Sequence, residues 1–307
     1  MYTKLKRDLL NAQGNAQYDQ HAKNVLMNKR LLAYILRRVV RELEDLSLEE
    51  IEAAIVGDIS GDTPLMPYIV SGQQEDKVAG EDEIYFDIRF VVMRKEKNLK
   101  ILFDLEPQKS YYPGYTIVTR GILYCSRMIS AQVDTEFEIP KYDGLKKVYS
   151  IWLCFNAPQK VGNAITKYHI TKENVLGDFA VEKSAYDKME IVQICLQEDA
   201  YEHEDEMIKL LNTVFSTKKS FKEIEKIVEN KYNIPMNNKW GEEVQQMCNL
   251  SQSIEEKGIR KGIEQQKHDT ASFIKKMQEK GWPAEKILAS LSDVNYSVIE
   301  LPSMQMP

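Results

Sequence analysis

Two strand-like segments separated by a short charged turn constrain the fold of this chain more than any other feature. Residues 84–93 and 99–105 are rich in β-branched and aromatic side chains, and the five residues between them are Arg-Lys-Glu-Lys-Asn. Because two such runs joined by a short turn are typical of a β-hairpin, we expect an antiparallel pair of strands here. The apolar character of both runs indicates that at least one face of the resulting sheet is buried.

Acidic side chains occupy matching positions on the two predicted strands. Asp87 and Glu106 are equally distant from the middle of the charged turn, so a hairpin centred there puts them directly opposite each other. Facing residues of such a pair have Cβ atoms about 4.5–5.5 Å apart and point to the same face of the sheet. Two carboxylates held this close repel each other and favour a cation between them. The alternative is that both are ordinary polar residues on a solvated sheet face.

Hard oxygen ligands favour Mg²⁺ or Mn²⁺ as that cation. A divalent ion there would lower the pKa of a bound water molecule and stabilise the charge that develops on a phosphate during hydrolysis. By the period-two rule, Asp104 and Gln108 share the face of Glu106. Asp104 is therefore a candidate auxiliary ligand, with a plain strand residue as the alternative.

The rest of the chain predicts a mixed α and β core followed by helices. Helices are expected at residues 24–45, 47–56 and 113–132, and strands near 68–70 and at 148–155, 164–170 and 189–196. Beyond residue 202 the pattern is helical only, with helices at 203–216, 219–231, 239–267 and 270–291 and a frayed tail at 302–307. The predicted organisation is a mixed domain over residues 1–200 and a helical region over residues 201–307.

Amphipathic spacing predicts which helix faces are buried. In the helix at 24–45 the apolar stripe consists of Leu32, Leu36, Val39, Leu43 and Leu46. In the helix at 113–132 the predicted buried face consists of Val118, Ile122, Cys125 and Ile129.

A basic surface is predicted on the first of these helices. Arg30, Arg37 and Arg41 fall nearly opposite its apolar stripe, with Arg38 beside them. Arginine neutralises phosphate charge without reading base sequence, so this surface is a candidate DNA-binding surface. The equally acceptable alternative is a solvated helix face.

Composition excludes several classes of protein. The net charge of −6 argues against a protein that coats nucleic acid by bulk charge. No apolar run approaches the roughly 18 residues that cross a bilayer, and no apolar stretch of a signal peptide follows the basic N-terminus, so we expect a cytosolic protein without a membrane segment. The spacing of the four cysteines predicts buried free thiols rather than a zinc cluster or a disulfide framework, and the four histidines are too scattered for a metal motif.

The chain also resembles a known group of enzymes. Asp87, the tripeptide Glu106-Pro107-Gln108 at a strand end and an Arg/Tyr-bearing helix after it resemble the motif of the PD-(D/E)XK nuclease superfamily. More closely, the chain is similar to the recombination-promoting nuclease and putative transposase family. The stretches that support this likeness are 85–90, 112–121, 124–132, 148–152 and 247–252, and the likeness is strongest over residues 84–157.

The resemblance implies a fold and a set of roles. The implied fold is a restriction-endonuclease-like α/β core, with a central mixed sheet flanked by helices. Asp87 and Glu106 match the metal-binding carboxylates of the family, with the backbone carbonyl of Pro107 as a further ligand. Gln108 matches the position of the superfamily's catalytic lysine. Its amide is neutral, whereas lysine would supply a positive charge, although this branch of the superfamily commonly carries glutamine there.

Three residues of the following helix are further candidates. Arg120, Tyr124 and Gln132 would either contact phosphate or brace the carboxylates, and simple packing is the alternative for Tyr124.

The expected function is a Mg²⁺- or Mn²⁺-dependent DNA endonuclease linked to recombination or to a mobile element. Its expected partner is double-stranded DNA, and double-strand cleavage would require a homodimer or sequential action. Two alternatives stay open. One is a nuclease-like fold that binds DNA or another partner without cleaving, and the other is a structural or oligomerising role carried by the C-terminal helices.

Overall fold

The computed structural model describes residues 17–56, 87–108, 111–197, 203–216 and 218–292. The helices are α1 over residues 17–26, α2 (Lys29–Val39), α3 (Leu48–Ala54), α4 (Ile117–Ser130), α5 (Lys183–Tyr186), α6 (Glu206–Val214), α7 (Phe221–Tyr232), α8 (Lys239–Glu279) and α9 (Ala284–Ser292). The strands are β1 (Ile55–Val56), β2 (Ile88–Arg94), β3 (Leu99–Gln108), β4 (Lys147–Cys154), β5 (Ala164–His169) and β6 (Met189–Cys195).

The strands form one mixed sheet of six strands in the order β1-β2-β3-β4-β6-β5. The central strands β3, β4 and β6 run parallel, and the pairs β1–β2, β2–β3 and β5–β6 are antiparallel. Helices flank this sheet, and helices are the regular elements of the described residues that follow β6. The predicted mixed α/β class, with a central mixed sheet and a helical C-terminal region, is therefore confirmed.

The hairpin that the sequence predicts is present in the expected register. Arg94 pairs with Leu99 at the turn, and Ile88 pairs with Leu105 at the open end. Asn98 closes the turn in the left-handed conformation at φ 47°, which asparagine adopts more readily than most residues. This register puts Asp87 and Glu106 at the same end of the hairpin.

Each face of the sheet has its own apolar core. On one face, Phe103 of β3 and Tyr149 of β4 pack with helices α2, α3, α6 and α7 and with the first turns of α8. On the other face, Trp152 of β4 and Ile191 of β6 pack under α4. Because side chains alternate along a strand, the even-numbered residues of β3 face α4.

Helix α4 approaches the sheet through a glycine. A Cβ atom on Gly121 would lie 2.7 Å from Ile191 Cγ2 and 3.0 Å from Trp152 Nε1, so only glycine allows this spacing. The buried face is formed by Ile117, Gly121, Tyr124, Cys125 and Met128. The predicted face is therefore wrong at Ile122, which is exposed, because apolar spacing alone gave no weight to the glycine.

The N-terminal helix is interrupted where the sequence predicts continuity. Helix α1 stops at residue 26, and the Asn28 side chain caps α2 by accepting a bond from the Leu31 amide at 3.0 Å. The predicted single helix at 24–45 is thus two helices, although Leu32, Leu36, Val39 and Leu43 of the predicted stripe are buried. The predicted helix from Ser47 ends at Ala54, where β1 begins.

The helical region continues the first core beyond the boundary predicted near residue 200. The chain divides into two compact units, Met1–Leu250 and Ser251–Pro307. Leu211, Val228 and Val244 belong to the same core as the sheet, which is why the division falls after Leu250. Near the C-terminus the helical break lies at Gly281 and Pro283 rather than near 268–269, since Gly281 takes φ +75°.

Three other expectations concern the thiols, the membrane and the undescribed segments. Cys125, Cys154, Cys195 and Cys248 are all free and buried, as predicted. Among the residues that the structure describes, no helix combines the length and the apolar character that crossing a bilayer requires. The strand predicted near 68–70 and the tail at 302–307 lie outside the described residues.

Candidate functional site

Asp87 and Glu106 lie together at the edge of the sheet where β3 ends. The Asp87 amide donates a hydrogen bond to Glu106 Oε1 at 2.9 Å. This edge also holds the carboxyl ends of the parallel strands β4 and β6. Ligand sites of open α/β sheets commonly lie at such an edge. The pairing across the hairpin that the sequence predicts therefore brings the two acids together.

Asp104 lies one step behind Glu106 on the same face and is sealed from solvent. Its Oδ2 accepts a hydrogen bond from Ser150 Oγ at 2.9 Å, and Ser150 Oγ in turn accepts one from Trp152 Nε1 at 2.9 Å. Asp104 Oδ1 is buried without a hydrogen-bond partner. A buried acceptor left unused is costly, so this atom favours either a proton shared with the neighbouring Glu106 carboxyl or a cation beside it.

Burial makes ionisation of the Glu106 and Asp104 carboxyls unfavourable. Glu106 is 3% exposed and Asp104 0%. Burial, and then the charges of Asp104 and Asp87, raise the pKa of the Glu106 carboxyl far above its usual range. Burial likewise raises the pKa of the Asp104 carboxyl to about 7, against the hydrogen bonds with Glu106 and Ser150 that lower it. The cluster therefore holds a proton at neutral pH or needs a cation to ionise fully.

Arg120 reaches the cluster from α4 inside an aromatic setting. Its Nη2 lies 3.9 Å from Glu106 Oε2. Its Nη1 donates to the Tyr115 hydroxyl at 2.5 Å, and its Nε donates to the Tyr124 hydroxyl at 3.1 Å. The guanidinium carbon is 5.1 Å from the centre of the Trp152 ring, within cation–π range. These contacts fix one positive charge beside Glu106, and Tyr124 is also a buried member of the core under α4.

Two further cations adjoin the acids, and the sequence analysis missed both. The ammonium of Lys23, on α1, forms an ion pair with Asp87 Oδ1. Arg89 is the register partner of Asp104 and its charge lowers the pKa of that carboxyl. The alternation of side chains along a strand could have identified Arg89, because it lies two positions after Asp87 and so on the same face. No sequence signal identifies Lys23, because its contact depends on how α1 packs.

Of the remaining candidates, Gln108 lies at the acid cluster and Gln132 does not. Gln108 ends β3 on the same face as Glu106, with Pro107 between them. Gln132 lies elsewhere: its amide donates to the Lys146 carbonyl at 3.1 Å and accepts from the Lys146 amide at 2.7 Å. It follows Arg120 by twelve positions, about 18 Å at the helical rise, so it pins the loop before β4 instead of bracing the carboxylates.

The predicted arginine surface is partly occupied by acids. Arg30 Nη1 lies 2.7 Å from Glu49 Oε1, and Arg38 Nε lies 2.6 Å from Asp205 Oδ2. Arg37 and Arg41 are exposed. Helix α2 covers the face of the sheet opposite α4, so these arginines do not belong to the acid cluster.

Exposed aromatic and basic side chains flank the acid cluster. Tyr112 and Tyr115, on the loop that leads from β3 to α4, are 65% and 48% exposed. The ammonium of Lys160 lies 5.9 Å from the centre of the Tyr112 ring. Tyrosine rings beside basic side chains also occur in proteins that bind single-stranded nucleic acid, where unpaired bases stack on the rings.

Comparison with protein-family models, with curated proteins and with solved structures found no match. The resemblance to nucleases therefore stays a prediction, and the site has to be judged by its own chemistry.

The acid cluster fits a cation that takes few protein ligands. Across the described ranges, no three or more His, Cys, Asp or Glu side chains form a group arranged to hold a metal ion. Asp87 and Glu106 would supply two carboxylates, and the Pro107 carbonyl a third oxygen. Mg²⁺ is commonly held by one or two carboxylates and keeps several water molecules, so this donor set suits it. The unused Asp104 oxygen and the unfavourable ionisation of Glu106 both favour a nearby positive charge.

Proposed function

We propose that this protein is a divalent-metal-dependent nuclease that hydrolyses phosphodiester bonds of DNA. The observation that carries the proposal is the meeting of Asp87 and Glu106 at the end of the hairpin, with Arg120 beside them. Carboxylates that are costly to ionise, crowded against one another and adjacent to fixed cations are typical of catalytic sites.

The side chains divide the work between binding and orientation. Asp87, Glu106 and the Pro107 carbonyl would hold Mg²⁺ or Mn²⁺, which when bound acidifies a water molecule and neutralises phosphate charge. Arg120 is held by two tyrosine hydroxyls, so its guanidinium is ready to bind a phosphate oxygen in a fixed orientation. The Gln108 amide offers a neutral donor and acceptor that can orient water.

DNA is the substrate that the surroundings of the acids support. Tyr112, Tyr115 and Lys160 offer stacking and phosphate contacts on the side of α4. Away from the acids, Arg37 of α2 and Arg41 just after it, on the opposite face of the sheet, would offer sequence-independent phosphate contacts. The charged groups support binding to the backbone of DNA with little base readout, and the tyrosine rings would stack only on bases that are unpaired at the cleavage site.

Plasmid cleavage tests the proposal. Supercoiled plasmid is incubated with the protein and an excess of Mg²⁺ or Mn²⁺. We expect nicked or linear product from the wild type and at least a 100-fold lower rate from Glu106→Ala, since removing a central electrostatic group typically costs about 10²–10³ in rate. Glu138→Ala is the matched control, because Glu138 is an exposed glutamate outside the cluster.

Each outcome has a distinct meaning. Equal cleavage by the wild type and Glu106→Ala would remove the assignment of the active site. DNA binding in a mobility-shift experiment without any cleavage would favour the alternative of a non-cleaving nuclease fold, which the neutral Gln108 and the acid-paired Arg30 and Arg38 support.

The proposal extends to compartment and assembly. Four free, buried cysteines suit a reducing compartment such as the cytosol. Linear product without accumulation of nicked plasmid would require two sites acting together, and light scattering of the full chain would then detect the expected homodimer.

A further inference from the structure

Lys23 is in contact with the acid pair although it lies far from it in sequence. Its ammonium pairs with Asp87 Oδ1, and both side chains are 24% exposed. The contact is therefore partly shielded from water and open on one side, where a substrate can reach it. A partly buried ion pair of this kind is stronger than one on an open surface.

The position of Lys23 is fixed by the packing of α1. Val25 and Leu26 are fully buried in the first core. The Val25 carbonyl accepts a hydrogen bond from Trp240 Nε1 at 2.9 Å, and His21 Nδ1 lies 2.5 Å from Glu243 Oε2. Helix α1 is thus anchored by its buried side chains and by the first turns of α8. Its packing therefore fixes Lys23 next to the acid cluster.

The cluster needs a positive charge that its own strand does not provide. Gln108 ends β3 with a neutral amide. Hydrolysis of a phosphodiester builds negative charge on the nonbridging oxygens, and a fixed cation placed against those oxygens lowers the barrier. Lys23 brings an ammonium to the same carboxylate that faces Glu106, from a different element.

We propose that Lys23 is a catalytic residue of this site and supplies the cation that Gln108 cannot. In the substrate complex its ammonium contacts a nonbridging oxygen of the scissile phosphate. The same ammonium competes with the metal for Asp87 in the free protein. This inference rests on the proposed nuclease function. It predicts that removing the Lys23 charge raises the affinity for the metal and lowers the rate of cleavage.

Lys23→Met tests both the change in metal affinity and the change in cleavage rate. Metal affinity of the free protein is measured by calorimetric titration with Mn²⁺ alone, and cleavage is followed with the plasmid. We expect a Kd for Mn²⁺ that is several-fold lower than in the wild type and a kcat that is about 100-fold lower, with KM little changed. Lys226→Met is the matched control, since Lys226 is exposed on α7, and both values should equal those of the wild type.

A second variant covers the case in which methionine disturbs the fold. In Lys23→Ala, added ethylammonium should restore part of the lost rate in a saturable manner, which a lysine needed only for packing would not allow. Lys23→Arg should keep more activity than Lys23→Met, because it keeps the charge.

The outcomes separate this inference from the function on which it rests. Cleavage by wild type and Lys23→Met at equal rates, or faster cleavage by the variant, overturns the role of Lys23 and leaves the nuclease intact. A wild type that neither binds Mn²⁺ nor cleaves overturns the nuclease and the inference together. A slow Lys23→Ala that ethylammonium does not accelerate makes Lys23 a structural residue only.

Discussion

The Glu106 carboxyl is buried at a cost to stability. Burial raises its pKa in the folded protein, whereas in the unfolded chain it ionises near pH 4.3 or so, the usual value for glutamate. Because the pKa of Glu106 is higher in the folded protein than in the unfolded chain, its contribution to stability is fully present below the pKa of the unfolded chain. That contribution is lost as the pH rises towards the pKa of the folded protein. The metal-free protein should therefore be less stable at pH 8 than at pH 5 on account of this group.

Glu106→Gln should stabilise the metal-free protein at pH 8. Glutamine cannot ionise, and its Oε1 can still accept the Asp87 amide, so the cost of burial falls while the hydrogen bond stays. We expect a gain of about 1–2 kcal/mol, or about 2–8 °C in Tm for a protein of this size. Thermal unfolding at pH 5 and pH 8 measures it.

Addition of Mn²⁺ provides an internal control for the same thermal unfolding experiment. Mn²⁺ should raise the Tm of the wild type at pH 8 and leave that of Glu106→Gln nearly unchanged, since binding to the folded state alone is stabilising. A variant less stable than the wild type at pH 8 would show that the buried carboxylate is already fully compensated by its cationic neighbours.

Among elements, α4 shows how one small residue sets the geometry of the site. Gly121 lets α4 lie close enough to β4 and β6 for Arg120 and Tyr124 to reach Glu106 and Trp152. Glycine inside a helix normally costs about 1 kcal/mol relative to alanine. Its presence here is explained by packing and not by helix propensity.

Gly121→Ala should therefore destabilise the protein in spite of alanine's higher helix propensity. The new methyl group would meet Ile191 Cγ2 at 2.7 Å, and Ile191 is a buried β-branched residue that cannot move aside. We expect a net loss of about 1–2 kcal/mol in the free energy of unfolding by urea. Gly262→Ala in α8 is the control: nothing lies within 4 Å of its added Cβ, so that change should be neutral or stabilising.

At the scale of the whole molecule, the two ends of the first compact unit meet at α1. Trp240 and Glu243, at the start of α8, contact Val25 and His21. The helical segment after residue 200 is thus part of the scaffold that orients Lys23, although the sequence assigned it to a separate region.

Trp240→Phe tests this long-range support. Phenylalanine keeps much of the buried ring but cannot donate to the Val25 carbonyl, so we expect a loss of about 1–2 kcal/mol in stability. If α8 orients Lys23, plasmid cleavage should also fall severalfold at temperatures well below the Tm. Trp282→Phe, in the second compact unit, should leave the cleavage rate unchanged. A normal rate in Trp240→Phe would mean that Lys23 holds its position without this bond.

Local rules predicted the sheet and the acid pair, and failed where tertiary packing decides. The period of two and the symmetry of the hairpin were sufficient to pair Asp87 with Glu106, because both rules act between adjacent strands. They could not find Lys23, whose contact exists only after α1 has docked. They also missed Asn28, a helix cap inside the single helix predicted at 24–45, and misplaced Gln132, whose amide is bound to the Lys146 backbone.

The bond between Trp240 and the Val25 carbonyl has a consequence for the newly made protein. During synthesis the ribosome releases Asp87 and Glu106 long before Trp240 and Glu243, so a nascent chain can form the hairpin while α1 still lacks its outer support. The Lys23 ammonium therefore gains the support of α8 beside Asp87 only when nearly all of the first unit has left the ribosome. On the nuclease function proposed above, an unfinished chain would carry the two acids without a firmly placed Lys23 and would cleave slowly.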